Sequence, residues 1–252
     1  MTTSTHDNGI TFVFCNIRKG ERVDAACDWI REQKPHVVLW QEMQACDLLH
    51  VQTRLEMHGY PAAKTSASGN DNVIFLHDDG LFAVTQEHPH SWAGWHAPAN
   101  VSVKMRNADG QLSPRSLSLV SEHSCYWSAS RRMDEANWYT TLAKDGWLAI
   151  AAGDWNGYAQ GEGPTAQDWE RVEDRAFFVN RTWLAEDGSR RTDDRGDRIL
   201  TAAGFVDAAR WAADRLGLTD LLHSTVDTSN QGNPDGPQHP HGVPAPHRDA
   251  QS

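Results

Sequence analysis

Cysteine is scarce in this chain and follows no metal or redox pattern: Cys15, Cys27, Cys46 and Cys125 show no CxxC spacing. They fall in expected strands, helices or their edges, so free buried thiols in a reducing compartment are expected, not disulfides or a zinc site. No apolar run reaches membrane-spanning length, and Met1 to Asn8 lacks both the basic and the apolar region of a secretory leader. The cytoplasm is therefore the expected setting, with no membrane segment. Positive charge is also in short supply. With 23 Lys and Arg against 34 Asp and Glu, the formal charge is -11 and the pI about 5.5. That balance repels phosphate backbones at long range and argues against a broad non-specific nucleic-acid footprint, while leaving room for a local basic cleft. A small phosphate ester, or a nucleic acid approached through a bound metal, fits better.

What is present is enough for a core: 252 residues, 39% of them hydrophobic, with no Pro- or Ser-rich linker before the last stretch of chain. A strand is expected over Ile10 to Ile17, then a helix from Glu21 to Gln33 on which Val23, Ala26, Cys27 and Ile30 recur at helical spacing. Pro35 ends that helix. His36 to Gln41 is an almost unbroken apolar run, as in a strand buried on both faces. A helix is expected from about Ala45 to His58, closed by Gly59 and Pro61. Strands follow at Val73 to His77 and Leu81 to Gln86, with Asp78-Asp79-Gly80 between them as a hairpin turn. His88 to Pro98 reads as a loop. Further strands are expected at Val101 to Met105, Ser116 to Glu122 and Trp147 to Ala152. Ser128 or Ser130 caps a helix running to Lys144. Helical pieces are expected at Ala166 to Phe178, Asp193 to Ala203 and Phe205 to Leu216. Early strand-helix alternation followed by consecutive strands predicts mixed sheets packed face to face with helices outside.

Polar side chains close three of the apolar runs. Asn16 ends the first, Glu42 follows the second, and Gly153-Asp154-Trp155-Asn156 follows the strand that starts at Trp147. A carboxylate at the end of a wholly apolar strand is costly unless solvated or paired, and a divalent cation is an efficient partner. A strand-end Glu42 in solvent, or in a salt bridge with Arg18 or Lys19, is the plainer alternative. Asp154 and Asn156, one residue apart, would point the same way under the period-two rule of a strand. Such residues after a strand also commonly satisfy backbone groups. Trp92, Trp95, Trp127, Trp138 and Trp155 could form stacking platforms for sugars or bases, against the plainer role of core and edge packing.

These motifs resemble the endonuclease/exonuclease/phosphatase (DNase I-like) superfamily. The resemblance rests on Cys15-Asn16-Ile17, Trp40-Gln41-Glu42, Ser121-Glu122-His123, the Arg131-Arg132 helix, Gly153-Asp154-Trp155-Asn156 and Ala203-Gly204-Phe205-Val206-Asp207-Ala208. It implies an α+β fold, a four-layer αββα sandwich over residues 10–228. It also implies a metal site at Glu42 and Asn16 for Mg²⁺ or Mn²⁺. Asp154 would position or activate water, Asn156 would hold the scissile phosphate, and His123 would contact the phosphate or leaving group. The implied activity is metal-dependent hydrolysis of a phosphodiester or phosphomonoester, small or in nucleic acid, with no protein partner indicated.

The family's late Asp and its Ser-Asp-His segment are not found. Residues 229–252 are a Pro-, Gly- and His-rich tail without strand pattern, so the C-terminal strands are expected to be missing or replaced, and residues 1–9 to be disordered. Loss of the terminal His is expected to remove assistance typically worth ~10²- to 10⁴-fold in rate. The alternative is a non-catalytic descendant that binds a phosphate ligand or a partner.

Overall fold

The computed structural model describes residues 9–43, 46–65, 72–91, 93 and 95–222. The expected tail at 229–252, and all but the last residue of the expected disordered N-terminus, lie outside the described residues. The chain divides into two compact units, Met1–Glu122 with Ile150–Gly153, and His123–Ala149 with Asp154–Ser252.

In the first unit the strands are β1 (Phe12–Asn16), β2 (Val37–Gln41), β3 (Met57–Pro61), β4 (Val73–His77), β5 (Phe82–Glu87) and β6 (Ala99–Met105). Strand β7 (Leu117–His123) ends one residue inside the second unit, and β8 (Leu148–Asp154) begins and ends in it. Two helices, α1 (Val23–Glu32) and α2 (Leu48–Leu55), complete it. One four-stranded sheet has the order β1-β2-β4-β3 and the other β5-β6-β7-β8. β1 and β2 are parallel, joined through α1, while β4 runs antiparallel to both β2 and β3.

The apolar run of β2 is explained by its central place. Val38 and Trp40 turn to one face, where with Val73 and Phe75 of β4 they meet Ala26, Cys27 and Ile30 of α1 and Val51 and Leu55 of α2. Val37 and Leu39 turn to the other, where with Ile74 and Leu76 they meet Val101, Val103 and Leu119 of the second sheet. Each such side chain contributes about 1.5–3 kcal/mol by leaving water. Helix, sheet and sheet are thus layered as the αββα reading expects, and the second unit carries further helices.

Two expectations are corrected here. The helix expected to reach His58 stops at Leu55, because Glu56 takes a left-handed conformation (φ 56°), and Met57–Pro61 pairs with β4 instead. Gly59 permits this pairing: a Cβ there would lie 2.8 Å from Cε1 of Phe75. Asp78-Asp79-Gly80 does not make a hairpin. β4 is buried at four successive residues and needs neighbours on both edges, which β2 and β3 supply, whereas the more exposed β5 pairs with β6 in the other sheet.

The second unit contains α3 (Ala129–Tyr139), α4 (Ala166–Glu170), α5 (Arg175–Arg181), α6 (Arg195–Ala202) and α7 (Ala208–Leu216). Ser128, Thr165, Asp174 and Asp207 cap α3, α4, α5 and α7 by accepting from first-turn N–H groups. A short hairpin of β9 (Thr182–Leu184) and β10 (Arg190–Thr192) follows α5, where the sequence signals no strand. Among the described residues no helix is long and apolar enough to cross a membrane. All four cysteines are free; Cys27 and Cys125 are buried.

Candidate active site

In the first unit, polar groups gather at the carboxyl ends of the strands. The Asn16 amide is gripped at both ends: Oδ1 accepts from the Arg18 backbone N–H (2.9 Å), and Nδ2 donates to Oε1 of Glu42 (2.8 Å). The other Glu42 oxygen, Oε2, accepts from the Lys19 backbone N–H at 2.8 Å. The plainer salt-bridge alternative is therefore replaced by backbone and amide donors. Arg18, Lys19, Arg22 and Glu42 all adopt positive φ, with Glu42 at 61°. Non-glycine residues in that region carry strain, and such strain gathers at ligand-binding positions.

The end of β2 is tied to the end of β7. Nε2 of Gln41 donates to Oγ of Ser121 (2.8 Å), which donates to the Trp40 carbonyl (3.0 Å), all in buried surroundings. The end of β8 is equally constrained, since a Cβ on Gly153 would fall 1.8 Å from the Glu122 carbonyl oxygen. Only glycine allows that approach. Glu42, His123 and Asp154 each come immediately after one of these fixed strand positions: Gln41, Glu122 and Gly153.

In the second unit, a ring nitrogen of His123 and a carboxylate oxygen of Asp154 lie within 4.8 Å of each other. His123 is buried. The Asp154 carbonyl accepts from the Ser124 N–H (2.9 Å), holding the two segments in register. Asn156 departs from the period-two expectation, because β8 ends at Asp154 and Asn156 is left-handed (φ 49°). Its backbone N–H donates to Oδ1 of Asp154 at 3.0 Å. Its amide is fixed by Ser124, whose carbonyl accepts from Nδ2 (2.9 Å), and by Arg181, whose Nη2 donates to Oδ1 (2.5 Å) while Nη1 donates to the Asn156 carbonyl. One Nδ2 proton remains for a ligand.

Arg181 was not singled out by sequence reading, and a guanidinium that acts through a turn 25 residues away leaves no local spacing to find. Burial lowers its pKa, the nearby Arg132 adds to this, and Asp154 opposes it. Arg132 belongs to the quoted Arg131-Arg132 motif. It is buried, ion-paired with Asp193 at 2.8 Å, and donates to the Cys125 carbonyl at 2.9 Å. Burial likewise raises the pKa of Glu135, which accepts from the Cys125 N–H at 3.0 Å.

Four of the five tryptophans lie among the described residues, each against a neighbouring ring or guanidinium. Trp138 and Trp155 pack edge-on against Tyr139 at 4.6 and 5.2 Å between ring centroids, and Trp127 lies under the Arg131 guanidinium. Trp95 packs on His96, and Trp92 lies outside the described residues.

No protein-family model matches the chain, and no curated protein matches its sequence. In fold it is similar to solved structures of the endonuclease/exonuclease/phosphatase kind. One is such a family protein from Bacteroides thetaiotaomicron, 17% identical, covering 59% of this chain and 64% of that one at a TM-score of 0.47. A second is TDP2 from D. rerio complexed with a single-strand DNA product, 14% identical over 60% of this chain and 62% of that one, TM-score 0.45. A third is a mannosyl-6-phosphatase from Bacteroides thetaiotaomicron, 15% identical over 67% and 70%, TM-score 0.46. This chain spans less than two thirds of the length of the first two.

Proposed function

We propose that this protein is a divalent-metal-dependent phosphoesterase whose working residues are Asn16, Glu42, His123, Asp154 and Asn156, acting in a cytoplasmic setting. The observation that carries the reading is the anchoring of Glu42: both carboxylate oxygens are already oriented, one by the Asn16 amide at the end of β1 and the other by the Lys19 N–H on the turn after it. Carboxylate oxygens of this kind suit Mg²⁺ or Mn²⁺, and the His123 and Asp154 pair offers an imidazole and a further carboxylate. Glu42, with Asn16 behind it, would hold the ion. A cation bound there supplies polarisation of a phosphoryl oxygen. Asp154 accepts a proton from the attacking water and aims it. The remaining Nδ2 proton of Asn156 donates to a non-bridging oxygen, and His123 faces the phosphate or the leaving oxygen. Preorganised donors of this kind stabilise the charge that grows on the phosphoryl group.

The test is hydrolysis of bis(p-nitrophenyl) phosphate and p-nitrophenyl phosphate with Mg²⁺ or Mn²⁺. Glu42→Ala and Asp154→Ala are each expected to lower kcat/KM by ~10²- to 10⁴-fold. Equal rates in all three proteins would remove the assigned site. Calorimetric binding of phosphate without turnover would favour the non-catalytic, ligand-binding reading.

A further inference from the structure

A half-open cleft of about 560 Å³ lies within the second unit, apart from the residues assigned above. Its walls are the loop that leaves Asn156, the β9–β10 hairpin and the start of α6, and its charged lining is three arginines, Arg191, Arg195 and Arg198, with one carboxylate, Asp194.

Each guanidinium is held by a carboxylate at one of its nitrogens. Arg191 Nη2 bonds Asp187 (2.7 Å), Arg195 Nε bonds Asp193 (2.6 Å), and Arg198 Nη2 bonds Asp194 (2.7 Å). A guanidinium has five N–H donors, so most of each remains for a ligand. The carboxylates fix the direction of the side chains, which lowers the ordering cost when an anion arrives. Arg191 and Arg195 also rest against the Trp183 ring, 6.0 and 5.2 Å from its centroid.

The second observation is the end of α6. Its N-cap residue, Asp194, makes no side-chain capping bond, unlike the caps of α3, α4, α5 and α7, because its carboxylate is engaged by Arg198. Asp194 thus leaves the first-turn N–H groups at the cleft rim uncapped, with Asp197 the acidic residue of that turn, and a helix end of this kind accepts an anion. The loop wall is pinned in place, with the Gln160 N–H donating to Asp197 of α6 at 2.9 Å and Tyr158 N–H to the Asp193 carbonyl at 3.2 Å.

We propose that this cleft is a phosphate-binding site, formed by Arg191, Arg195, Arg198 and the N-terminus of α6. Guanidinium forks match phosphate oxygens in geometry as well as charge. The phosphate has two possible sources, a second phosphate group on the substrate or a free phosphate-bearing ligand. Binding at the cleft stands independently of the hydrolysis reading; only the substrate source rests on it.

The experiment is calorimetry of the full chain with inorganic phosphate and pyrophosphate, without metal, for wild type, Arg191→Gln/Arg198→Gln and Asp154→Ala. Both arginines are exposed, so the double variant is expected to keep the wild-type melting temperature. Affinity is expected to weaken at least ~10-fold in the double variant and to stay unchanged in Asp154→Ala. Unchanged affinity in the double variant, or no saturable binding by wild type, overturns the proposal whatever the hydrolysis assay shows. The sources separate on rate: a loss of kcat/KM confined to esters carrying a second phosphate identifies the substrate group, and an equal effect of added phosphate on all esters identifies a free ligand.

Discussion

The residues assigned to the site rest on two kinds of support. In the first unit, Asn16 ends β1 and Glu42 follows β2, in which Val37, Val38, Leu39 and Trp40 are fully buried, and the buried Gln41–Ser121 hydrogen bond ties the two sheets together. In the second unit, Asp154 and Asn156 are held by charge. Arg181 holds the Asn156 turn, and Arg132 with Asp193 forms a buried ion pair that Arg195 joins at 2.6 Å from Asp193. Apolar burial is non-directional and forgiving, whereas a buried ion pair is costly as soon as one member is lost. The comparison implies that the second unit is the more brittle support.

The sharpest way to break that comparison is Arg132→Ala. It leaves Asp193 buried with Arg195 alone and is expected to cost about 3–5 kcal/mol in chemical denaturation. Arg132→Met combined with Asp193→Leu should recover much of that loss, and failure to recover would mean that the network positions the backbone beyond its charges. Gln41→Leu in the first unit should cost less, about 1–3 kcal/mol, since Ser121 keeps its bond to the Trp40 carbonyl. A pH-dependent effect in the first unit concerns His90, which is buried and bonded to Asn100 at 3.2 Å. Burial lowers its pKa from 6.5 to about 4, with His88 adding to the shift. Over that interval the unfolded chain takes up a proton that the folded chain refuses, so stability falls as pH drops from 6.5 to about 4 and this contribution then levels off. Denaturation midpoints of wild type and His90→Gln across the interval measure it; the variant should show a shallower slope.

The same contrast explains what could be read from the sequence. β2 and β8 announce themselves as apolar runs closed by polar residues, and Ser128 announces α3, because burial and capping are local signals. β3 was hidden because Met57-His58-Gly59-Tyr60-Pro61 has neither period nor β-branched residues, and its pairing depends on Phe75 leaving room at Gly59. Asp78-Asp79-Gly80 has hairpin chemistry, yet burial of β4 on both faces outweighs it. β9 and β10 are three residues each, too short for a pattern. Arg181 and Asp193 are joined to their partners across 25 and 61 residues, and nothing in the spacing of charges along a chain encodes such pairing.

The grip on Asn156 has a consequence for substitution. A guanidinium donates to one end of its amide while a carbonyl accepts from the other, so rotating the group by half a turn would set donor against donor and acceptor against acceptor. Aspartate, identical in shape, would meet the Ser124 carbonyl with an oxygen and lose that bond. At this position the closest mimic in outline is among the worst replacements, and polarity along the side chain matters more than its size.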